Sequence, residues 1–297
     1  MKISLIILSW NTKNLLRGCL KSIALENIFE TIVVDNNSID GSQEMVEKFF
    51  PRVKLIKNKK NLGFAKGNNQ GIKKAEGDLI MILNSDTIIS KGSLKELVGA
   101  FVKDDKIAAV SPLLLFKSWE IQEDYYMKFP NLWQIFLYHN RLLRSLILKT
   151  PLKNLILSRL SNKRITEVQQ LPGAALMAKR EIWEKVGLLD ESYHFLYEDV
   201  DWCFRAKKLG LKLVVVPEAK IIHIGGGSWK KRINNESLTF YKQYFTSMLL
   251  FVKKNYGQLK LKFFKIALVI NFLVTFKFRL AFYFLFKKEI KQEKLWA

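Results

Sequence analysis

The sequence predicts an α/β fold: a mostly parallel sheet flanked by helices, with an amphipathic helical insertion and a helical C-terminal tail. Three observations carry this. Strand-like and helix-like segments alternate from Ile3 to Ser111, the pattern of right-handed βαβ crossovers. The strands are largely continuous apolar runs, as in sheets covered on both faces. Their carboxyl ends carry short polar residues, and open α/β sheets bind ligands there.

Ile3 to Leu8 forms the first strand, followed by Ser9-Trp10-Asn11-Thr12 and an amphipathic segment to about Leu25. Thr31 to Val34 forms the second and ends in Asp35, before Asn36-Asn37-Ser38 and a helix to Phe50. A short strand from Val53 to Ile56 leads into a glycine-punctuated loop and helix. The central strand begins at Leu79, whose five apolar residues deliver Asn84, Ser85 and Asp86 at the carboxyl end. A helix from about Lys91 to Val102 and a strand from Ile107 to Ser111 complete this run.

Residues 117–168 break the pattern. The stretch from Asn131 to Leu160 is aromatic, leucine-rich and basic without a single acid, and predicts one or two amphipathic helices. The α/β pattern resumes after Gln170, with a strand from Lys212 to Val216 and then His223 ahead of Gly225-Gly226-Gly227-Ser228. A helix from about Glu236 to Lys253 places Tyr241, Tyr244, Phe245, Met248 and Val252 at helical spacing, which suits packing.

The formal charge is +22, and from Ser228 onward 15 Lys and Arg face three acids. Such an excess calls for an anionic partner or surface. These cations accompany long apolar faces rather than polar stacking platforms, which points to anionic lipid and away from nucleic acid. Cys19 and Cys203 lie far apart without metal spacing, as expected of buried thiols in a reducing compartment. The apolar run at Ile3 is too short for a signal peptide, so the chain is expected to stay cytoplasmic.

The tail poses a membrane question. Ile266 to Phe286 contains fourteen Leu, Ile, Val and Phe residues around Lys277 and Arg279. Two cations near the centre of a span cost about 5 to 7 kcal/mol, and those apolar residues return about 4 to 8. The terms cancel, and the flanking lysines, each worth about 1 kcal/mol on an anionic surface, favour a helix lying in the interface.

Asp86 is a short acid at a strand end, where a metal and a phosphate would meet, although Asn, Ser and Asp also make ordinary turns. Glu198 and Asp199 open a helix whose dipole favours acids, and Asp201 with Arg205 is an ordinary i,i+4 pair. Glycines 63, 67 and 71 are spaced by four and form no dinucleotide fingerprint; they read as close approaches of backbone to a nucleotide, with Lys66 available for a phosphate.

Together, Asp35-Asn36-Asn37-Ser38, the loop from Asn61 to Asn69, Asn84-Ser85-Asp86, Gly173-Ala174, Tyr197-Glu198-Asp199-Val200-Asp201 and His223 with its glycines resemble the inverting family 2 glycosyltransferases of the GT-A fold. Their rhamnosyltransferase-like branch is the most similar, from about Lys2 to Ser228. The resemblance implies a GT-A domain over residues 1–235 with its insertion at 117–168, while the apolar and basic composition of the tail predicts membrane-associating helices over 236–297. It implies that Ser9, Asn11, Asp35 and Asn36 surround the base and ribose of a nucleotide-sugar. Gly63, Lys66, Asn68, Asn84, Ser85 and Gly173 would complete the donor site. Asp86 matches the last acid of the family's metal motif, implying Mg²⁺ or Mn²⁺, and His223 would be a further metal or diphosphate contact. The motif's first position is Asn84, which leaves one carboxylate. Asp199 matches the general base, with Glu198 orienting it or the acceptor.

The implied reaction moves a sugar, such as rhamnose, from a dTDP- or UDP-linked donor to a saccharide acceptor on a polyprenyl diphosphate. It would serve surface polysaccharide or O-antigen synthesis at the cytoplasmic face of the membrane, with peripheral attachment. Transfer to a polyprenyl phosphate or to a protein is the alternative.

Overall fold

The computed structural model describes residues 1–24, 26–225 and 238–291. Leu25, the Gly226-Gly227-Ser228 run and the expected helix start at Glu236 lie outside the described residues.

The α/β expectation holds. Strands β1 (Ile3–Ser9), β2 (Glu30–Asp35), β3 (Lys54–Lys57) and β4 (Leu79–Asn84) form a wholly parallel half in the order β3-β2-β1-β4. Helices α1 (Lys13–Ile23), α2 (Ser42–Phe49) and α3 (Phe64–Lys74) make the crossovers. Leu5, Ile6, Ile7, Ile32, Val33, Met81 and Ile82 are fully buried, which is why β1, β2 and β4 read as largely continuous apolar runs.

Helix α3 lies directly on β1. An added Cβ at Gly67 would come within 2.3 Å of Leu8, and one at Gly71 within 2.2 Å of Ile6. These two glycines seat the helix on the strand, which corrects the expectation that they admit a nucleotide. Gly63, at φ +83° ahead of α3, does face the cleft described below.

The other half of the sheet is mixed. It contains β5 (Thr87–Ile89), β6 (Ile107–Leu115), β7 (Thr166–Glu167), β8 (Ala175–Lys179) and β9 (Lys212–His223), with helices α4 (Ser93–Lys103), α6 (Arg180–Val186) and α7 (Glu198–Lys208) around them. Strand β8 is antiparallel between β4 and β6, while β9 runs parallel to β6 and antiparallel to β5 and β7. A register shift between Pro112 and Leu113 lets β9 continue well past Val216. Its last residue, His223, pairs with Thr87 and so arrives next to Asp86.

The insertion is helical only in short pieces: a 3₁₀ turn (Glu123–Tyr126), a π-helical turn (Gln134–Tyr138), helix α5 (Arg141–Ile147) and a second 3₁₀ turn (Pro151–Leu155). Asn140 restarts the chain by accepting a hydrogen bond from Leu143 N, and Thr150 does the same for Leu152 N with Pro151 between them. Such caps divide an apolar stretch that periodicity alone would run together.

Three helices form the tail: α8 (Leu238–Tyr256), α9 (Gln258–Val274) and α10 (Phe278–Phe286). They share a core of Phe245, Leu249, Phe251, Leu268, Phe272 and Phe284 with Ile135 of the insertion and Tyr193 and Tyr197 ahead of α7. The apolar run from Ile266 to Phe286 breaks at Phe276, which has φ 56°. Among the described residues no helix is long and apolar enough to cross a membrane.

Candidate active site

The carboxyl ends of β1 and β4, the loop before β8, residues 194–196, the start of α7 and His223 enclose a cleft of about 170 Å³. It gathers nine of the residues singled out in the sequence: Asn36, Gly63, Asn84, Ser85, Asp86, Gly173, Glu198, Asp199 and His223.

One end of the site is built from strand-end side chains. Asp35 Oδ1 accepts from Ser38 N at 2.8 Å and Gln43 Nε2 at 2.6 Å, while its buried Oδ2 has no partner. A buried carboxylate oxygen left over in this way suits a ligand N–H or hydroxyl donor. Asn11 takes a left-handed conformation, φ 53°, from which its N–H donates to Ser38 Oγ and its Oδ1 accepts from Ile39 N. Ser9, Thr12 and Ser85 form a buried hydroxyl chain behind the strand ends, with spacings of 3.1 and 3.0 Å. Asn36 spans the loop to Asn58, Asn61 and Gly63.

Beyond them lies the pair Asp86 and His223. Their Oδ1 and Nε2 atoms are 3.4 Å apart, and both residues are buried. Gln122 determines which imidazole nitrogen holds the proton. Its Nε2 donates to the carbonyls of His223, at 2.6 Å, and Leu115, at 3.4 Å. Its Oε1 therefore faces His223 Nδ1 at 3.1 Å, so in the neutral imidazole Nδ1 is the donor and Nε2 carries the lone pair. Asn84 Nδ2 lies 3.3 Å from that Nε2 as a donor, and Tyr125 closes over the ring edge-on at 5.1 Å. One carboxylate oxygen and one imidazole lone pair fit a divalent cation that takes its other ligands from a diphosphate and water. Among the described residues no group of three or more His, Cys, Asp or Glu offers a site made of protein alone.

A second pair, Glu198 and Asp199, lines the same cleft. Asp199 Oδ2 accepts from Gly173 N at 2.7 Å and Oδ1 from Val200 N at 2.8 Å. Gly173 packs close to the carboxylate: a Cβ there would lie 3.1 Å from Asp199 Oδ2, so that the carboxylate would have to give way by a few tenths of an ångström. Burial raises the Asp199 pKa against these two donors. Glu198 is buried with no partner at Oε2, so burial, and then the charge of Asp199, push its pKa far up. When the pair shares one proton, Glu198 holds it and Asp199 is the ionised member.

The loop that presents this pair is strained. Leu196 and Tyr197 both have positive φ, 60° and 77°, a conformation costing about 1–3 kcal/mol at each non-glycine residue. The tail holds it in place: Ser247 Oγ donates to Phe195 O at 2.6 Å, and Tyr197 packs on Tyr244 and Phe251. Asn255 Nδ2 reaches Asp201 at 3.0 Å, and Asp201 pairs with Arg205 as expected.

Two family profiles match the chain, one described as glycosyl transferase family 2 over residues 4–153 and one as glycosyl transferase family group 2 over residues 79–287. The chain belongs to glycosyltransferase family 2. Within it, the chain is 34% identical over 113 residues to an uncharacterized glycosyltransferase, YfnE, of Bacillus subtilis, covering 36% of this chain and 29% of that protein. It is 24% identical over 213 residues to an N-acetylglucosaminyl-diphospho-decaprenol L-rhamnosyltransferase of Mycobacterium tuberculosis, covering 68% of each. This second likeness supports the rhamnosyltransferase-like branch. Among solved structures, a mannosyltransferase from Pyrobaculum calidifontis in complex with GDP-Man and Mn²⁺ superposes with a TM-score of 0.60 at 15% identity, covering 94% of this chain and 74% of that one. That likeness carries the GT-A fold.

Against this family frame, five of the singled-out residues stand back from the cleft lining. Ser9, Asn11 and Asp35 hold the hydrogen bonds given above and do not line this cleft. Asn68 is buried and donates to Phe64 O at 3.0 Å. Lys66 lies 3.9 Å from Glu191 on the surface. In turn, Trp10, Tyr125, His194, Phe195 and Leu196 line the cleft without having been assigned to it. Trp10 was within reach of sequence reading, since it sits between Ser9 and Asn11. Nothing local marks Gln122 or Tyr125.

Proposed function

We propose that this family 2 glycosyltransferase is an inverting enzyme. It moves a sugar, such as rhamnose, from a dTDP- or UDP-linked donor to a saccharide acceptor on a polyprenyl diphosphate. The observation that carries the reading is the presence of two unlike titratable pairs, Asp86 with His223 and Glu198 with Asp199, in the lining of one cleft. Asp199, raised in pKa but ionised beside its neutral neighbour, takes the proton of the acceptor hydroxyl as that oxygen attacks the anomeric carbon. Glu198 holds its own proton and keeps a second charge away from Asp199. Asp35 and Asn36 position the nucleoside end. Asp86 and His223 would hold Mg²⁺ or Mn²⁺, which, when bound, neutralises the departing diphosphate. Direct displacement needs no covalent sugar intermediate. The mycobacterial relative, named for a decaprenol-linked substrate, supports the lipid-linked acceptor, and the chain would act at the cytoplasmic membrane face in surface-glycan synthesis.

A thermal-shift screen of nucleoside diphosphates and nucleotide-sugars with Mn²⁺, Mg²⁺ or chelator tests the donor reading. One dTDP- or UDP-linked ligand is expected to stabilise the protein only with metal. Saturation at a hundredfold over Kd adds about 2.7 kcal/mol. Asp86→Ala should remove the metal-dependent part. A wild-type chain that responds to no nucleotide would reject the reading.

A further inference from the structure

The hairpin made by α9 and α10 is apolar on both of its faces. Leu261, Phe264, Leu268 and Phe272 of α9 point into the tail core, while Phe263, Ile266, Ile270, Leu273 and Val274 are exposed on the opposite side. In α10, Leu280 and Phe284 point inward and Phe278, Phe282, Leu285 and Phe286 are exposed. Phe276, at the turn between them, is 80% exposed. A run of large side chains on one outer face is an interaction surface rather than scattered surface apolarity.

Charge identifies the partner. Neither helix contains Asp or Glu. Lys260 and Lys262 near the start of α9 are exposed, as are Lys288 and Lys291 beyond α10 with Glu289 between them. The Lys265 ammonium donates to the Lys287 carbonyl at 2.9 Å, so the first turns of α9 and the end of α10 are neighbours. The hairpin therefore carries exposed lysines at its open end and exposed Arg279 beside Phe276 at its closed end, with the Lys277 ammonium turned over the Tyr241 ring. This is the pattern of a segment whose ring-bearing face enters a bilayer while its ammonium groups stay at the phosphates. Helix α9 is about 25 Å long and α10 about 13 Å, both short of the ~30 Å hydrocarbon core, so they enter one leaflet. The π-helical turn of the insertion packs against α9 through Ile135 in the tail core. A second copy of the chain would bring like charges together.

We propose that the outer face of the α9–α10 hairpin docks into the anionic leaflet of a membrane. The same core reaches Tyr193 and Tyr197, so the docked helices support the wall of the cleft that carries Glu198 and Asp199. This step rests on the lipid-linked acceptor read above: the wall facing the acceptor is built on the part of the chain that touches lipid.

Flotation of the full chain with phosphatidylcholine vesicles, with and without phosphatidylglycerol, tests the docking. The wild type is expected to float with anionic vesicles, less so at high salt. Ile266→Ser with Ile270→Ser and Phe282→Ser should weaken partition at least about tenfold. Lys260→Glu with Lys262→Glu should weaken it too and flatten the salt dependence. All these positions are exposed and remote from the cleft, so the nucleotide thermal shift should stay at its wild-type value and reports folding separately. Flotation needs no nucleotide, so a failed donor screen leaves it interpretable. Triple-Ser protein that floats like the wild type overturns the proposal. So does a wild-type dimer that fails to float and that the same three substitutions dissolve.

Discussion

The two titratable pairs of the cleft, Asp86 with His223 and Glu198 with Asp199, differ in what surrounds them. Asp86 faces an imidazole whose lone pair is fixed by Gln122, with Asn84 beside it. Asp199 has two backbone N–H donors, and the Glu198 next to it has a buried oxygen with none. One pair is arranged to face a charge on its partner molecule. The other is arranged so that a proton is kept on one member and withheld from its neighbour. Environments that separate titratable groups in this way assign acid and base roles by physics before any chemistry is assumed.

The sharpest way to break this contrast is Asp199→Asn. The amide keeps the volume and loses the basic oxygen, so turnover should fall by about 10² to 10⁴. Metal-dependent nucleotide stabilisation should not change, because Asp86 and His223 are held by Asn84 and Gln122, whereas Asp199 is held by Gly173 N and Val200 N. Retained turnover in steady-state transfer assays would remove Asp199 as the base.

Gln122→Leu probes the Asp86 and His223 pair with a smaller expected effect. Leucine fills the same space and gives His223 Nδ1 no acceptor, so the imidazole is free to take either tautomer. Loss of such an outer partner costs about 10- to 100-fold in metal affinity. Mn²⁺ titration in the presence of UDP or dTDP, followed by electron paramagnetic resonance, reads that affinity without turnover. Long-range ¹H–¹⁵N spectra of the three histidines should show His223 protonated at Nδ1 in the wild type only. A wild-type His223 protonated at Nε2 would contradict the arrangement.

Much of this fold was legible because its first half obeys local rules. Strands β1, β2 and β4 are buried on both faces and end in short polar residues, so composition and position coincide. Asn84-Ser85-Asp86 and Glu198-Asp199 were visible for the same reason, as acids at a strand end and a helix start. Strand β8 was not, since Ala-Leu-Met-Ala-Lys consists of good helix formers and becomes a strand only between β4 and β6. Gln122 stands in the ordinary polar run Gln-Glu-Asp, and its partner is 101 residues away. The break at Phe276 follows no glycine or proline; the turn is closed by Lys277 N donating to Phe272 O at 2.8 Å, with the Lys277 ammonium over the Tyr241 ring. Each missed feature depends on a tertiary neighbour rather than on its own segment.

The smallest effect in prospect is thermodynamic and tests the proton on Glu198 directly. Burial raises its folded-state pKa above the unfolded value of about 4.5. Stability tied to that proton is fully present below the unfolded pKa, declines as the pH rises above it, and is lost once the pH passes the folded pKa. Glutamine is neutral at every pH and cannot lose it. Glu198→Gln and the wild type should therefore differ least in Tm near pH 4, and the variant should gain steadily toward pH 8. Each pKa unit of the shift corresponds to about 1.4 kcal/mol, and each kcal/mol to about 2–4 °C for a chain of this size. A Tm difference that stays constant from pH 4 to pH 8 would mean that Glu198 is ionised in the folded protein, and the two pairs of the cleft would then differ in position but not in proton chemistry.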